Sequence, residues 1–258
     1  MRVATFNINN VNKRLGNLLE WLEAEQPDAV ALQELKSTDA AFPAEAIGAL
    51  GYGAVWKGER NWNGVAILAR GTDPVLTRRN LPGDPQDAQS RYLEAAVNGL
   101  LVAAIYLPNG NPQPGPKFDY KLAWLARLRA HAQALWDAGV PAVLAGDFNV
   151  VPTDADIYPS RSWGKDALLQ PQSRAGYAEL LAQGWLDAVR ALHPDEPMYS
   201  FWDYKRDRWS RDAGLRIDHL LLSAPLHSRL RAADVDRWVR GRDNASDHAP
   251  VWVELDWP

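Results

Sequence analysis

The 258-residue chain contains no cysteine. That absence excludes disulfides, thiolate zinc sites and a cysteine nucleophile. It fits a reducing compartment, and the expected location is cytoplasmic. Histidine is scarce, with five in all, and so is methionine, with two. No apolar run approaches the roughly 20 residues that a membrane-spanning helix needs; the longest lies around Leu100 to Leu107. The opening residues, Met1 to Asn7, turn polar too soon for a signal peptide. Positive charge is not in excess either: 28 Lys and Arg stand against 32 Asp and Glu, a net charge of -4. Such a balance argues against a non-specific nucleic-acid binder, which needs clustered cations. It fits a carboxylate-rich site for a hard cation.

Strand-like and helix-like stretches alternate along the whole chain, without a repeat or a linker, so one domain over residues 1–258 is expected. Val3–Phe6, Ala29–Leu32, Val65–Leu68, Leu93–Val97, Leu101–Tyr106, Ala142–Ala145, Ile217–Leu222 and Val251–Leu255 read as strands. Leu15, Leu18, Leu19 and Leu22 form a helical stripe closed by Pro27. A longer stripe runs through Phe118, Leu122, Leu125, Ala132 and Leu135 to a C-cap at Gly139. A short helix around Tyr177, Leu180 and Leu181 ends at Gly184. The class is therefore α/β or α+β with a layered sheet core.

The polar residues that stand out sit at strand ends. Asn7, Glu34, Tyr106, Asp147 with Asn149, Asp218, and Asp247 with His248 all follow or precede an apolar run. Each has an ordinary local reading: a turn residue at Asn7, a solvated strand end at Glu34, an Asx turn at Gly146–Asn149, an ion pair with Arg216 at Asp218. Together they are more specific, because strand-end side chains distant in sequence converge on one cleft in layered sheets. Four carboxylates without a thiol select Mg²⁺ or Mn²⁺ over zinc. With Asn and His added, the set suits metal-assisted phosphodiester hydrolysis.

The motifs in which these residues lie resemble the exonuclease III family, the class II apurinic/apyrimidinic endonucleases of the endonuclease/exonuclease/phosphatase superfamily. The likeness runs in family order through Thr5-Phe6-Asn7-Ile8-Asn9, Leu32-Gln33-Glu34-Leu35-Lys36, Asn63-Gly64-Val65-Ala66, Tyr106-Leu107-Pro108-Asn109-Gly110 and Gly146-Asp147-Phe148-Asn149. It ends with Phe201-Trp202-Asp203-Tyr204, Gly214-Leu215-Arg216-Ile217-Asp218 and Ser246-Asp247-His248-Ala249-Pro250. The Phe201–Tyr204 and Gly214–Asp218 pieces are narrower than the superfamily and point to the DNA-repair branch. The resemblance implies a deoxyribonuclease I-like, four-layer α/β sandwich of two facing mixed sheets flanked by helices. It implies Glu34 as the main Mg²⁺ ligand, with Mn²⁺ as a substitute, supported by Asn7, and Asp247 near the metal or its waters. Asp147 would activate water, Asn149 would help hold it, His248 would contact the scissile phosphate, Asp218 would orient His248, and Tyr106 would touch the phosphate.

Duplex DNA with abasic sites or 3′ ends is the expected partner of a monomeric enzyme. From Tyr199 to Arg216 five cations stand against three anions, interleaved with aromatic residues. The resemblance makes Phe201 and Trp202 the wall of a pocket for a base-free sugar, and Arg91, Asn109, Lys117, Lys121 and Arg216 further DNA-side residues. The segment Ile157 to Ala175 is short beside some members, which leaves the balance of abasic incision and 3′ trimming open. Two other readings are a phosphatase or phosphodiesterase acting on a small phosphate ester, and a non-catalytic DNA-binding module.

Overall fold

Eighteen strands and α-helices follow one another in the computed structural model, which describes residues 1–160 and 163–258. In chain order they open with β1 (Arg2–Asn7), α1 (Leu15–Glu25), β2 (Ala29–Gln33), α2 (Ala44–Ala49), β3 (Tyr52–Gly58) and β4 (Gly64–Arg70). Next come β5 (Val75–Arg78), β6 (Tyr92–Val97), β7 (Leu100–Tyr106), α3 (Pro116–Asp137) and β8 (Ala142–Asp147). The last are α4 (Pro171–Ala182), β9 (Leu186–Asp187), α5 (Ala188–Leu192), β10 (Asp218–Leu222), β11 (Leu230–Val235), α6 (Arg237–Arg240) and β12 (Val251–Leu255).

The strands form two six-stranded sheets, β11-β12-β1-β2-β4-β3 and β5-β6-β7-β8-β10-β9. Each is mixed: β1 with β2 and β7 with β8 run parallel, and their remaining neighbours run antiparallel. Period-two alternation sorts the side chains of the central strands. Val3, Ala29, Ala31, Val102, Ala104, Val143, Ala145, Leu220 and Leu222 meet between the sheets. The opposite faces carry the helices. Phe6, Leu32 and Leu68 pack on Trp21 and Leu22 of α1; Ile105, Leu144 and Leu221 pack on Trp124, Leu125 and Leu128 of α3. This is the expected four-layer α/β sandwich of the deoxyribonuclease I type.

Among the elements read from sequence, the boundaries moved by a residue or two. Asp218, not Ile217, opens β10. The α1 helix ends at Glu25, where Gln26 takes a left-handed cap. Buried α3 residues include Trp124 and Leu128 beside the expected Phe118, Leu125 and Ala132. The strands β3, β5, β9 and β11 escape the periodicity because they are edge strands, β5 wholly exposed and the others partly so. The short Ile157–Ala175 segment includes residues 161 and 162, which lie outside the described residues.

A buried polar network braces the end of β10. Arg216 Nε bonds Asp156 at 2.6 Å and its Nη1 bonds Asp187 at 2.8 Å. Tyr177 donates to the same Asp187 at 2.9 Å. His219 stands beside it, with Nδ1 3.0 Å from Arg216 Nη1 and Nε2 3.0 Å from the Val150 carbonyl. Arginine has only donors, so Nδ1 must be the acceptor and the ring neutral. Burial first, then the Arg216 charge, draws the His219 pKa down to about 4. A depressed folded-state value contributes stability above the unfolded pKa near 6.5, lost as pH falls towards about 4. The native state is expected to lose roughly 3 kcal/mol over that interval from this group. Urea unfolding at steps between these pH values checks it: His219→Gln should flatten the slope, and an unchanged slope would refute the assignment.

Candidate active site

The parity that fills the space between the sheets also builds the site. Asn7 continues the inward face of β1, Tyr106 that of β7, Asp147 that of β8, and Asp218 that of β10. Register then aligns them: Asp147 is paired with Tyr106 on one side and with Asp218 on the other. Glu34 and Lys36 follow β2 with φ of 53° and 47°, and Asn149 follows β8 with φ of 48°. Left-handed backbone is uncommon for Glu and Lys, and such conformations gather at functional sites.

Asn7 joins the two sheets at this edge. Its Nδ2 donates to Glu34 Oε1 and to Asp147 Oδ2, both at 3.0 Å, and its Oδ1 accepts the Asn9 N–H at 3.1 Å. Tyr106 donates its hydroxyl to Glu34 Oε1 at 2.8 Å. Lys36 Nζ lies 2.8 Å from Glu34 Oε2 and 2.6 Å from Asn9 Oδ1, and Asn9 Nδ2 reaches Asp247 Oδ1 at 2.9 Å. The Asn149 amide N–H caps Asp147 Oδ1 at 2.8 Å. Asn109 Nδ2 in turn holds Asn149 Oδ1 at 3.0 Å.

On the far side of Asp147, His248 Nδ1 sits 2.8 Å from Asp218 Oδ2. Ser200 donates to that same oxygen at 2.6 Å, while Asp218 Oδ1 is buried without a partner. Burial opposes a charged imidazole, but Asp218, then Asp147 and Asp247, outweigh it and raise His248 to about 10. His248 is therefore an imidazolium at neutral pH, with Nε2 3.9 Å from Asp147 Oδ2. Burial raises Asp147 to about 7, helped by Asp218 and Glu34. Burial also works to raise Glu34, but Lys36, Asn7 and His248 leave it below the ordinary value.

These charges define what the corner can hold. Glu34, Asp147, Asp218 and Asp247 offer four carboxylates, and among the described residues Lys36 and His248 are the cations paired with them. The shortfall matches one divalent ion, and the oxygen donors suit a hard one. Ligand atoms of Asp147, Asp218 and His248 also lie within 4.8 Å of one another. His248 is an imidazolium there and a poor metal ligand. The Glu34 side thus fits a cation, and the His248 side an anion.

A slot of about 240 Å³ opens over these groups, with Phe201, Trp163, Leu168 and Ile217 as its apolar wall. The Phe201 ring lies 4.9 Å from the His248 ring. Through Glu34, Tyr106 and Asn109 the slot meets a cleft of about 600 Å³ lined by Arg91, Lys117 and Trp62. Arg91 is stacked on the Tyr106 ring at 4.7 Å, and Trp62 is 72% exposed.

Phe201, Arg91, Asn109 and Lys117 thus border the cavities, as expected of DNA-side residues. Three others do not. Trp202 is fully buried, with its Nε1 on Asp212. Arg216 belongs to the interior Asp156–Asp187 network. Lys121 lies beneath the Asn109 loop and donates to the carbonyls of Asn109 at 3.1 Å and Asn149 at 2.5 Å; burial draws it down to about 7. None of the three presents a free donor or an open ring face to a ligand. Their place is behind the residues that do. Sequence reasoning gave no role to Lys36, Asn9, Ser200, Trp163 or Trp62. Lys36 and Asn9 lie inside the quoted motifs, so their proximity to Glu34 and Asn7 was a signal; Trp163 had none.

A buried carboxylate corner facing an imidazolium across one slot, on this sandwich, defines a phosphoester-cleaving hydrolase of nuclease type. Residues 4–248 match the endonuclease/exonuclease/phosphatase family, and the chain belongs to it, in its exonuclease III branch. It is 35% identical to an exodeoxyribonuclease III of Haemophilus influenzae, over 99% of this chain and 100% of that one. A 3′ phosphatase from Neisseria, solved with a product DNA hairpin, superposes with a TM-score of 0.95 at 37% identity, over 100% of both chains. An AP endonuclease from Archaeoglobus fulgidus superposes at 0.94 with 32% identity, over 99% of both.

Replacing Asp218 by Asn removes the largest charge that holds the imidazolium. The His248 pKa should fall from about 10 towards the ordinary range. Ring-proton NMR titration of the metal-free variant reads this directly; a His248 that still titrates near its original value would contradict the account.

Proposed function

We propose that the protein is a Mg²⁺-dependent DNA repair nuclease that hydrolyses the phosphodiester 5′ to an abasic site and trims 3′ ends and 3′ blocking groups of duplex DNA. One observation carries the reading: Glu34, Asp147 and His248, the last backed by buried Asp218, share a single slot with the apolar wall of Phe201 and Trp163. The wall suits a deoxyribose without its base, which reaches such a slot with less unstacking cost than an intact nucleotide. The names of the relatives, an AP endonuclease and a 3′ phosphatase among them, support both ends of the activity.

Glu34 would hold the cation, with Asn7 fixing the carboxylate and Asp247 near its waters; Mn²⁺ would substitute. Bound there, the ion neutralises charge on the phosphate and stabilises the charge that develops on the leaving oxygen. Asp147 takes the proton of the attacking water. Its position at about 7 keeps a basic fraction at neutral pH, and Asn149 and Asn7 aim its oxygens. His248 Nε2–H faces the phosphate as a charged donor, and Asp218 with Ser200 fixes the ring. Tyr106 adds a hydroxyl on the Glu34 side. Lys121 acts at one remove, pinning the Asn109 and Asn149 carbonyls. Every main position is filled, which disfavours a binding module without turnover.

Purified protein with a duplex carrying one tetrahydrofuran abasic analogue tests the proposal. Incision is expected with Mg²⁺ and none with EDTA. Glu34→Gln and His248→Ala should each lower kcat by roughly 10²-fold or more. Absence of metal-dependent incision at the analogue, or faster cleavage of a small phosphate ester, would sink it.

A further inference from the structure

Among the described residues four arginines are buried: Arg14, Arg208, Arg216 and Arg240. Three have evident partners. Arg216 meets two carboxylates, Arg14 bonds the Tyr204 hydroxyl at 2.9 Å, and Arg240 bonds the Trp202 carbonyl at 3.1 Å. Arg208 differs. It is 8% exposed, and among the described residues its guanidinium has neither a hydrogen-bond partner nor an acid in salt-bridge range. Its guanidinium lies over two rings instead, 4.8 Å from Tyr158 and 5.1 Å from Trp163. Trp163 is itself fixed by its Nε1 bond to the Tyr158 hydroxyl at 3.0 Å. A buried cation without an anion is costly, and such a group is poised to receive one.

The surroundings say where that anion would come from. Arg208 lines a recess of about 230 Å³ with Lys205, Arg206, Asp203, Asp166 and Trp163. Both carboxylates serve backbone and amide groups: Asp203 accepts the Lys205 N–H at 2.9 Å, and Asp166 accepts Asn111 Nδ2 at 2.9 Å and the Leu168 N–H at 3.0 Å. The recess shares Trp163 and Asp166 with the catalytic slot. The large cleft of Arg91 and Lys117 meets that slot through different residues, Glu34, Tyr106 and Asn109. A strand threading cleft, slot and recess would put its scissile phosphate at His248 and its sugar on Phe201 and Trp163. The next phosphate would then lie at Arg208.

We propose that Arg208 binds the phosphate on the 3′ side of the sugar held in the slot, and so favours incision inside a strand over removal of a 3′ end. A strand interior carries that phosphate and a 3′ terminus lacks it. The inference rests on the nuclease reading above, and the guanidinium keeps its charge at neutral pH.

The test compares two duplexes, one with an internal tetrahydrofuran and one with a 3′-terminal phosphate at a nick. In Arg208→Met, which keeps a side chain between the two rings, the ratio of internal incision to end removal should fall about tenfold, mainly through KM, as expected for one charged hydrogen-bonding contact. Wild-type protein needs no substitution for the second arm. A neutral methylphosphonate at the linkage 3′ to the tetrahydrofuran should raise its KM by a similar factor and leave Arg208→Met indifferent. Equal losses on both duplexes, or additive effects of the variant and the methylphosphonate, overturn the assignment of Arg208 alone. Wild-type protein that removes 3′ ends yet leaves the internal site intact overturns it as well. Protein that processes neither duplex overturns the nuclease reading itself.

Discussion

Several carboxylates crowded into one buried corner repel each other, and the rest of the site is arranged around that constraint. Burial first, then the charges of Asp218 and Glu34, lifts the Asp147 pKa to about 7. Asn7 offers one amide group to two of the three acids and ties the sheets together in doing so. Lys36 and His248 sit at opposite ends of the corner. The carboxylate oxygens around Glu34 suit a cation, and the His248 imidazolium marks the side that suits a phosphate. That polarity suits phosphodiester hydrolysis, in which a cation and a cationic donor meet the phosphate from different sides.

The cations of the chain fall into groups with different tasks. Arg216 stabilises an interior junction of β9, β10 and the Thr153–Asp156 turn, where two acids neutralise it. Lys121 supports the loop floor under Asn149. Arg91 and Lys117 face the open cleft. A net charge of -4 is compatible with a polyanionic substrate once these groups are separated, since the field at the cleft depends on which charges face it and not on their total. No helix among the described residues is long and apolar enough to cross a membrane.

Much of the candidate site was legible in the primary structure. Glu34, Asp147, Asp218 and His248 converge as the strand-end positions suggested, because strand parity and register are local rules that act over long distances once strands pair. The apolar runs of β1, β2, β7, β8 and β10 showed in the sequence because these strands are buried on both faces, and β12 showed by its alternation of buried and half-exposed residues. The edge strands were not legible, since half-exposed residues carry little hydrophobic signal. Lys36 and Asn9 were visible only as neighbours of named residues, and their bonds to Glu34 and Asp247 depend on left-handed turns at Asn9, Glu34 and Lys36.

By itself the sequence determined the family, through its motifs, and the layered α/β class, through its periodicity, and it singled out the acids and imidazole of the candidate site. The tertiary structure alone decided which way the long side chains face. Lys121, Trp202 and Arg216 turned inward where outward roles were expected, and Trp163 arrived from a loop with no motif to complete the wall. Burial of a flexible cation or an aromatic ring is set by what packs above it from distant segments, and no local pattern in the chain encodes that.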